Sequence, residues 1–390
     1  MIKPKDFQNV NQKYIQLLIE NGIEESIHLD YKKKLGLNAE IAKDLSSFAN
    51  TDGGNIIYGI KEKNNKPKEI VLIQGNNIRE KIDQIASFGV DPPLNVRILP
   101  IDITLESEKG QIFLVYIPKS YPKIHQAKKK DKYYKRTEFT STPMFDSEIK
   151  LAFEIAYESH KRIQEFKDKR IEILLKNQSF VEFLGNSKII IHLIPETSLH
   201  PSIHYDLQVF EENYSSSLRP MNCYNPVMKW YGEGLLVSCK NNNPKPSTYI
   251  FLYNDGIIES VESQLIQPTI AKNKNKEYPL KIKRIEEEIL RAIERYLNSL
   301  NTLNGPLPLN IYITFLNVRG YCIPLGYHYG PLFNEKSERI EKRNLILPSI
   351  IANQYDINLE KLLKPTFDYI WRECGVPECM DYDKEGNFQW

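Results

Sequence analysis

Three acids and a lysine near the start of the chain have the types and spacing to handle a phosphodiester. Glu25 and Asp30 lie five residues apart, Lys32 follows, and Glu62 lies just past the next apolar run. Clustered carboxylates can hold Mg²⁺ or Mn²⁺ against a phosphate, polarise it and activate a water. Lys32 could neutralise charge on the phosphate or on the leaving oxygen. Odd spacing along a regular strand puts side chains on opposite faces. Glu25 and Asp30 therefore converge only if Glu25 precedes the strand or sits at a bulge. The competing reading is three solvated surface acids in a chain that has 50 acids, and spacing by itself leaves both open.

A second candidate is basic. Residues 128–136 carry Lys128, Lys129, Lys130, Lys132, Lys135 and Arg136 together with Tyr133 and Tyr134, and Lys33 and Lys34 add a smaller cluster. Lysine and arginine bind backbone phosphate, and tyrosines stack on unpaired bases. A solvated charged loop is the other reading. The turn from Asn50 to Asn55 holds Gly53 and Gly54. It serves as a helix stop with a left-handed glycine or as an amide cradle for phosphate. No Gly-Lys-Ser/Thr follows, so it is not a nucleotidase phosphate loop. His28 has no partner at catalytic spacing and reads as structural.

The elements that must position these residues follow from periodicity. Residues 6–23 read as a helix with Ile15, Leu18 and Ile19 on one face. The Ile27/Leu29/Tyr31 alternation reads as a strand. Asn38 can cap a helix over 39–50, whose Ile41, Leu45, Phe48 and Ala49 share a stripe. Asn55–Ile60 is a buried strand, Lys61–Pro67 a polar turn, and 77–88 a second amphipathic helix. Strands are expected near 95–104 and 111–117, then a long charged helix over 146–176. The second half offers strands at 189–194, 234–239, 247–254 and 311–318 and a helix at 282–300, with low-propensity connections such as 241–246.

The expected fold class is α+β: a mixed domain over 1–150, a helical connector over 151–180 and a second α+β domain over 181–390. The net charge of +2 gives no polyanion signal for the whole chain, so any such signal is local. Five scattered cysteines argue against a disulfide framework. Cys374 and Cys379 lie close, without a further Cys/His pair at zinc spacing. The start of the chain has no apolar signal segment, and no apolar run is long enough to span a bilayer. A cytoplasmic protein is expected.

The segments Glu25–Lys32, Phe48–Gly54 and Ile57–Ile60 resemble the Schlafen-type AlbA domain. Pro92-Pro93, Phe113–Pro118 and Tyr133–Thr137 fit the same pattern, so the likeness covers roughly residues 20–150. The remainder looks like the C-terminal half of bacterial members, ending near Tyr369–Gly375. The resemblance implies a nucleic-acid-handling domain. Nuclease members use three carboxylates and a divalent metal to cut RNA, including transfer RNA. Those positions map to Glu25, to Asp30 where the family has Glu, and to Glu62 where it commonly has Asp; Lys32 matches the family's lysine. The resemblance further implies Mg²⁺ or Mn²⁺ as cofactor, a homodimer, and a toxin or phage-defence setting. The alternatives are a DNA- or RNA-binding regulator without catalysis, its C-terminal half a sensor, and a nucleotide-binding protein.

Overall fold

The computed structural model describes all residues except 1, 3, 107, 121–123, 184, 200–203, 241–244, 271–275, 304, 306 and 329–335. The chain divides into two compact units, Met1–Glu158 and Ser159–Trp390. Both mix helices and sheets, so the fold class is α+β.

The first unit runs α1 (Gln12–Glu20), β1 (Leu29–Lys32), α2 (Asn38–Ala49), β2 (Gly54–Tyr58), β3 (Ile60–Lys63), β4 (Lys66–Ile70), α3 (Ile78–Phe88), β5 (Val90–Asp91), β6 (Arg97–Leu105), β7 (Glu108–Ile117), β8 (Gln126–Ala127), β9 (Lys132–Arg136) and β10 (Ser141–Pro143). The main sheet has the order β1-β2-β7-β6. β1 and β2 are parallel, and parallel neighbours need a crossover, which α2 provides. The period-2 alternation divides β2 between two cores. Ile56 and Tyr58 pack with Ile41, Leu45 and Phe48 of α2, whereas Ile57 packs with Tyr31 and Ile15 on the other face. The smaller sheet β10-β9-β8-β5 carries the basic segment.

Several boundaries differ from the sequence reading. The first helix is split: a 3-10 segment covers Pro4–Asn9, and the Asn11 side chain then caps α1. α2 starts at Asn38 itself and has no side-chain cap at Leu37. The expected polar turn at 61–67 is a hairpin, β3 and β4, turned by Asn64 and Asn65 at φ of 55° and 61°. Asparagine tolerates that left-handed conformation, which hairpin turns require.

α4 (Asp146–Leu175) crosses from one unit to the next. The second unit continues with β11 (Lys188–Pro195), α5 (Tyr214–Ser217), β12 (Val227–Tyr231), β13 (Gly234–Cys239), β14 (Thr248–Tyr253), β15 (Ile258–Glu262), β16 (Thr269–Ile270), β17 (Lys276–Glu277), α6 (Ile282–Thr302), β18 (Leu309–Leu316), α7 (Leu325–His328), β19 (Leu345–Ile346), β20 (Ile350–Ala352) and α8 (Leu359–Glu373). Its large sheet has the order β12-β13-β14-β15-β11-β18-β19, with β20 also on β18. One face packs against α6 and α8, including Ile289, Phe367 and Trp371. The other packs against Ile171 and Leu174 of α4 and the Phe180 ring. The connection predicted at 241–246 lies largely outside the described residues. All five cysteines are buried, and none forms a disulfide. Among the described residues no helix is long and apolar enough to cross a membrane.

Candidate functional site

Glu25 lies ahead of β1, in the segment where Ser26 bridges to Leu29. That placement removes the opposite-faces problem. The Glu25 backbone N–H donates to Asn65 O at 2.8 Å, and the Glu25 Oε1 accepts the Tyr31 N–H at 2.8 Å. The carboxyl is thereby turned back over β1 to meet that of Asp30. Both are buried, at 8% and 2% exposure. Burial first, then hydrogen bonding to Asp30, pushes the Glu25 carboxyl up to about 7. A like-charged neighbour in a dry site makes the second negative charge expensive.

Asp30 holds two cations. The Lys32 Nζ donates to it at 2.8–2.9 Å, and the Arg136 Nη1 pairs with Oδ2 at 3.2 Å. Burial works against the Lys32 ammonium, but the carboxylates of Asp30, Asp44 and Glu25 outweigh it and raise its pKa. The Arg136 guanidinium also donates to Ser26 O and Leu29 O and lies over the Phe48 ring, 4.3 Å from its centre. It is a clamp that fixes the start of β1.

The Asn50–Gly54 turn places that clamp. Asn50 donates from Nδ2 to His125 O and Tyr134 O and accepts the His125 N–H. Thr51 Oγ1 accepts the Arg136 N–H at 2.8 Å. The Gly53 N–H is used on Phe48 O at 2.9 Å, and its φ of +67° is the left-handed turn glycine accepts. A Cβ there would stand 2.6 Å from Lys119 N. The arrangement fits the helix-stop reading of the turn. His28 is likewise structural, its Nδ1 lying 3.2 Å from Gly53 O.

Glu62 does not join the other two acids. It is exposed on the β3–β4 hairpin, where its carboxylate accepts the Asn65 N–H at 3.0 Å. Among the described residues, Glu25, Asp30 and Glu62 do not bring three ligand atoms within 4.8 Å of one another.

The basic segment divides in two. Lys128, Lys129 and Lys132 are exposed, as are Lys33 and Lys34. Lys130 is paired with Glu40, and Lys135 with Glu148. Tyr133 packs edge-on against Phe153. Two residues correct the expectation of a nucleic-acid grip: Tyr134 and Arg136 are buried, at 7% and 4% exposure. β9 alternates, so every second side chain faces α2 instead of solvent.

Sequence reasoning missed Asp44 and Tyr58. Asp44 sits one turn before Phe48 on α2, close enough to Lys32, Asp30 and Arg136 to feel their charges. Tyr58 is 1% exposed, and its hydroxyl has no hydrogen-bond partner. An acid four residues ahead of Phe48, at the edge of the α2 buried stripe, was the available signal.

The family described as Schlafen, AlbA_2 matches residues 25–145. No curated protein matches the chain. A solved structure, the DIP2311 protein from Corynebacterium diphtheriae, is similar at 15% identity and a TM-score of 0.22, over 33% of this chain and 25% of that one. The matched region therefore spans about a quarter of that protein's length.

Proposed function

Because residues 25–145 form a Schlafen-type AlbA domain, a class tied to nucleic acid, we propose that this protein is a metal-dependent endoribonuclease acting on structured RNA such as tRNA. The observation that carries this reading is the meeting of the Glu25 and Asp30 carboxyls beside the Lys32 ammonium. Two buried carboxyls side by side, with burial pushing that of Glu25 up, are a poor way to satisfy a fold and a good way to receive a hard cation. The donor set is all oxygen, which suits Mg²⁺ or Mn²⁺. A bound divalent cation supplies Lewis-acid polarisation of a phosphoryl oxygen.

The chain's own residues do the rest. Glu25 and Asp30 hold the cation, and in the family's mapping Glu62 is the third acid. Lys32, with its side chain 37% exposed, presents its ammonium to the phosphate. Lys33, Lys34, Lys128, Lys129 and Lys132 bind the RNA backbone as point charges. Family likeness adds a homodimer and a toxin or phage-defence setting to the proposal.

Incubation of tRNA with the protein and Mn²⁺ or Mg²⁺ tests it. Wild type should cut, and the Glu25→Ala/Asp30→Ala variant should not. One observation favours a second reading, a nucleic-acid-binding regulator without catalysis: Asp30 is already neutralised by Lys32 and Arg136, and Glu62 stands apart. Binding with a steep salt dependence and no cleavage by wild type would establish that reading instead.

A further inference from the structure

Ser120 and His125 form a pair that the nuclease reading does not use. The Ser120 Oγ lies 2.5 Å from the His125 Nε2, and the His125 Nδ1 lies 2.6 Å from the Pro92 carbonyl oxygen. A carbonyl oxygen only accepts, so Nδ1 carries a ring proton toward Pro92. In the neutral ring Nε2 is then a bare lone pair, and the Ser120 hydroxyl must donate to it. That is the tautomer a general base needs. A hydroxyl within hydrogen-bond reach of a base, with the base oriented by a third group, is the arrangement of an activated nucleophile.

The end of α2 builds this pair from both sides. Ala49 O accepts the Ser120 N–H at 2.9 Å. Asn50 grips the His125 backbone twice, accepting its N–H at 2.7 Å and donating from Nδ2 to its carbonyl at 2.8 Å. Two consecutive residues therefore hold nucleophile and base at a fixed separation, which is the preorganisation that a chemical step rewards. Burial divides the roles. His125 is 2% exposed, whereas Ser120 is half-buried, so the base is shielded and the serine is the more accessible partner.

We propose that Ser120 is a nucleophile and His125 its general base, together forming an acyl-transfer site for small carboxylic esters. Nε2 takes the Oγ proton as Oγ bonds to the ester carbonyl carbon. The C–O bond to the leaving alcohol breaks, and the imidazolium returns the proton to that oxygen. Water, with His125 again as base, adds to the acyl-serine carbonyl; the bond to Oγ breaks, Oγ regains a proton, and the carboxylic acid departs. The Pro92 carbonyl keeps the tautomer but, being neutral, stabilises the imidazolium less than a carboxylate does. The substrates are therefore esters with good leaving groups, not amides. This site is independent of the nuclease reading.

Labelling with a fluorophosphonate, whose phosphorus is attacked by activated serines with loss of fluoride, tests it on the whole chain. Mass spectrometry should place the adduct on Ser120 in wild type and find none there in Ser120→Ala. His125→Gln should label at least about 100-fold more slowly. No adduct on Ser120 in folded wild type overturns the proposal. An unchanged rate in His125→Gln also overturns it, leaving the pair a structural bridge between loops. Hydrolysis of p-nitrophenyl acetate reads the full cycle: wild type should exceed Ser120→Ala, and equal rates would overturn the ester-cleaving step. Should His125→Gln fail to fold by circular dichroism, native and urea-unfolded wild type decide. An adduct on Ser120 in the native chain alone supports the pair, and equal labelling overturns it.

Discussion

Arg136 on β9 reaches Asp30 on β1 across 106 residues of sequence and pairs with it at 3.2 Å, with side-chain exposures of 2% and 3%. Removing one member of a buried pair leaves the other uncompensated. The pair therefore ties the small sheet of the first unit to the edge of its main sheet, and the arginine is unavailable for phosphate.

Arg136→Ala should destabilise the first unit by about 3–5 kcal/mol. Lys128→Ala, four positions before β9 but exposed, should stay within about 0.5 kcal/mol of wild type. Urea unfolding followed by far-UV circular dichroism compares the two. Equal midpoints would show that Arg136 is not a clamp.

Cation binding should depend on pH through Glu25. Its carboxyl, pushed up to about 7 by burial and by Asp30, must lose a proton before it can bind a metal. Mn²⁺ affinity should rise as the pH climbs through about 7 and level off roughly one unit above that. Without cation the sign reverses for stability. A raised carboxyl favours the protonated fold, so its contribution is complete below about 4.5 and lost as the pH climbs through about 7. Glu25→Gln should flatten both profiles. Calorimetry and thermal melts across pH 5–8 measure them, and a wild-type Mn²⁺ isotherm independent of pH would remove Glu25 from the site.

In the second unit, Glu259 on β15 is fully buried and receives two hydrogen bonds from Arg170, at 2.7 and 2.8 Å, one from Tyr249 at 2.6 Å, and the contact of His192 Nε2 at 3.0 Å. Burial alone would raise its pKa; the bonds from Arg170 and His192 overturn that and hold it down at about 2. A lowered carboxyl contributes stability above about 4.5 that is lost as pH falls toward 2. Glu259→Gln should cost about 3–5 kcal/mol and weaken the acid dependence. Trp230, Trp371 and Trp390 all belong to this unit, so tryptophan fluorescence reads its unfolding separately. An unchanged midpoint would mean that the network is ornamental.

Much of the scaffold was legible because it is periodic. The Ile41/Leu45/Phe48 stripe gave α2, and the apolar run at 55–58 gave β2. The β3–β4 hairpin was not, because short polar strands lack a hydrophobic pattern and their turn depends on two left-handed asparagines. β12, with exposed Val227 and half-exposed Trp230, escaped notice for the same reason. The site was legible by residue type alone.

By itself the sequence determined the α+β class, the Phe48–Gly54 signature and the presence of acids at positions 25, 30 and 62. Tertiary structure decided which acids meet. Glu25 folds back onto Asp30 because its Oε1 takes the Tyr31 N–H, and Glu62 stays out because its carboxylate closes its own hairpin. Asp44 and Arg136 arrive from α2 and β9, so their nearness to Asp30 is a product of helix and sheet packing that linear spacing does not encode.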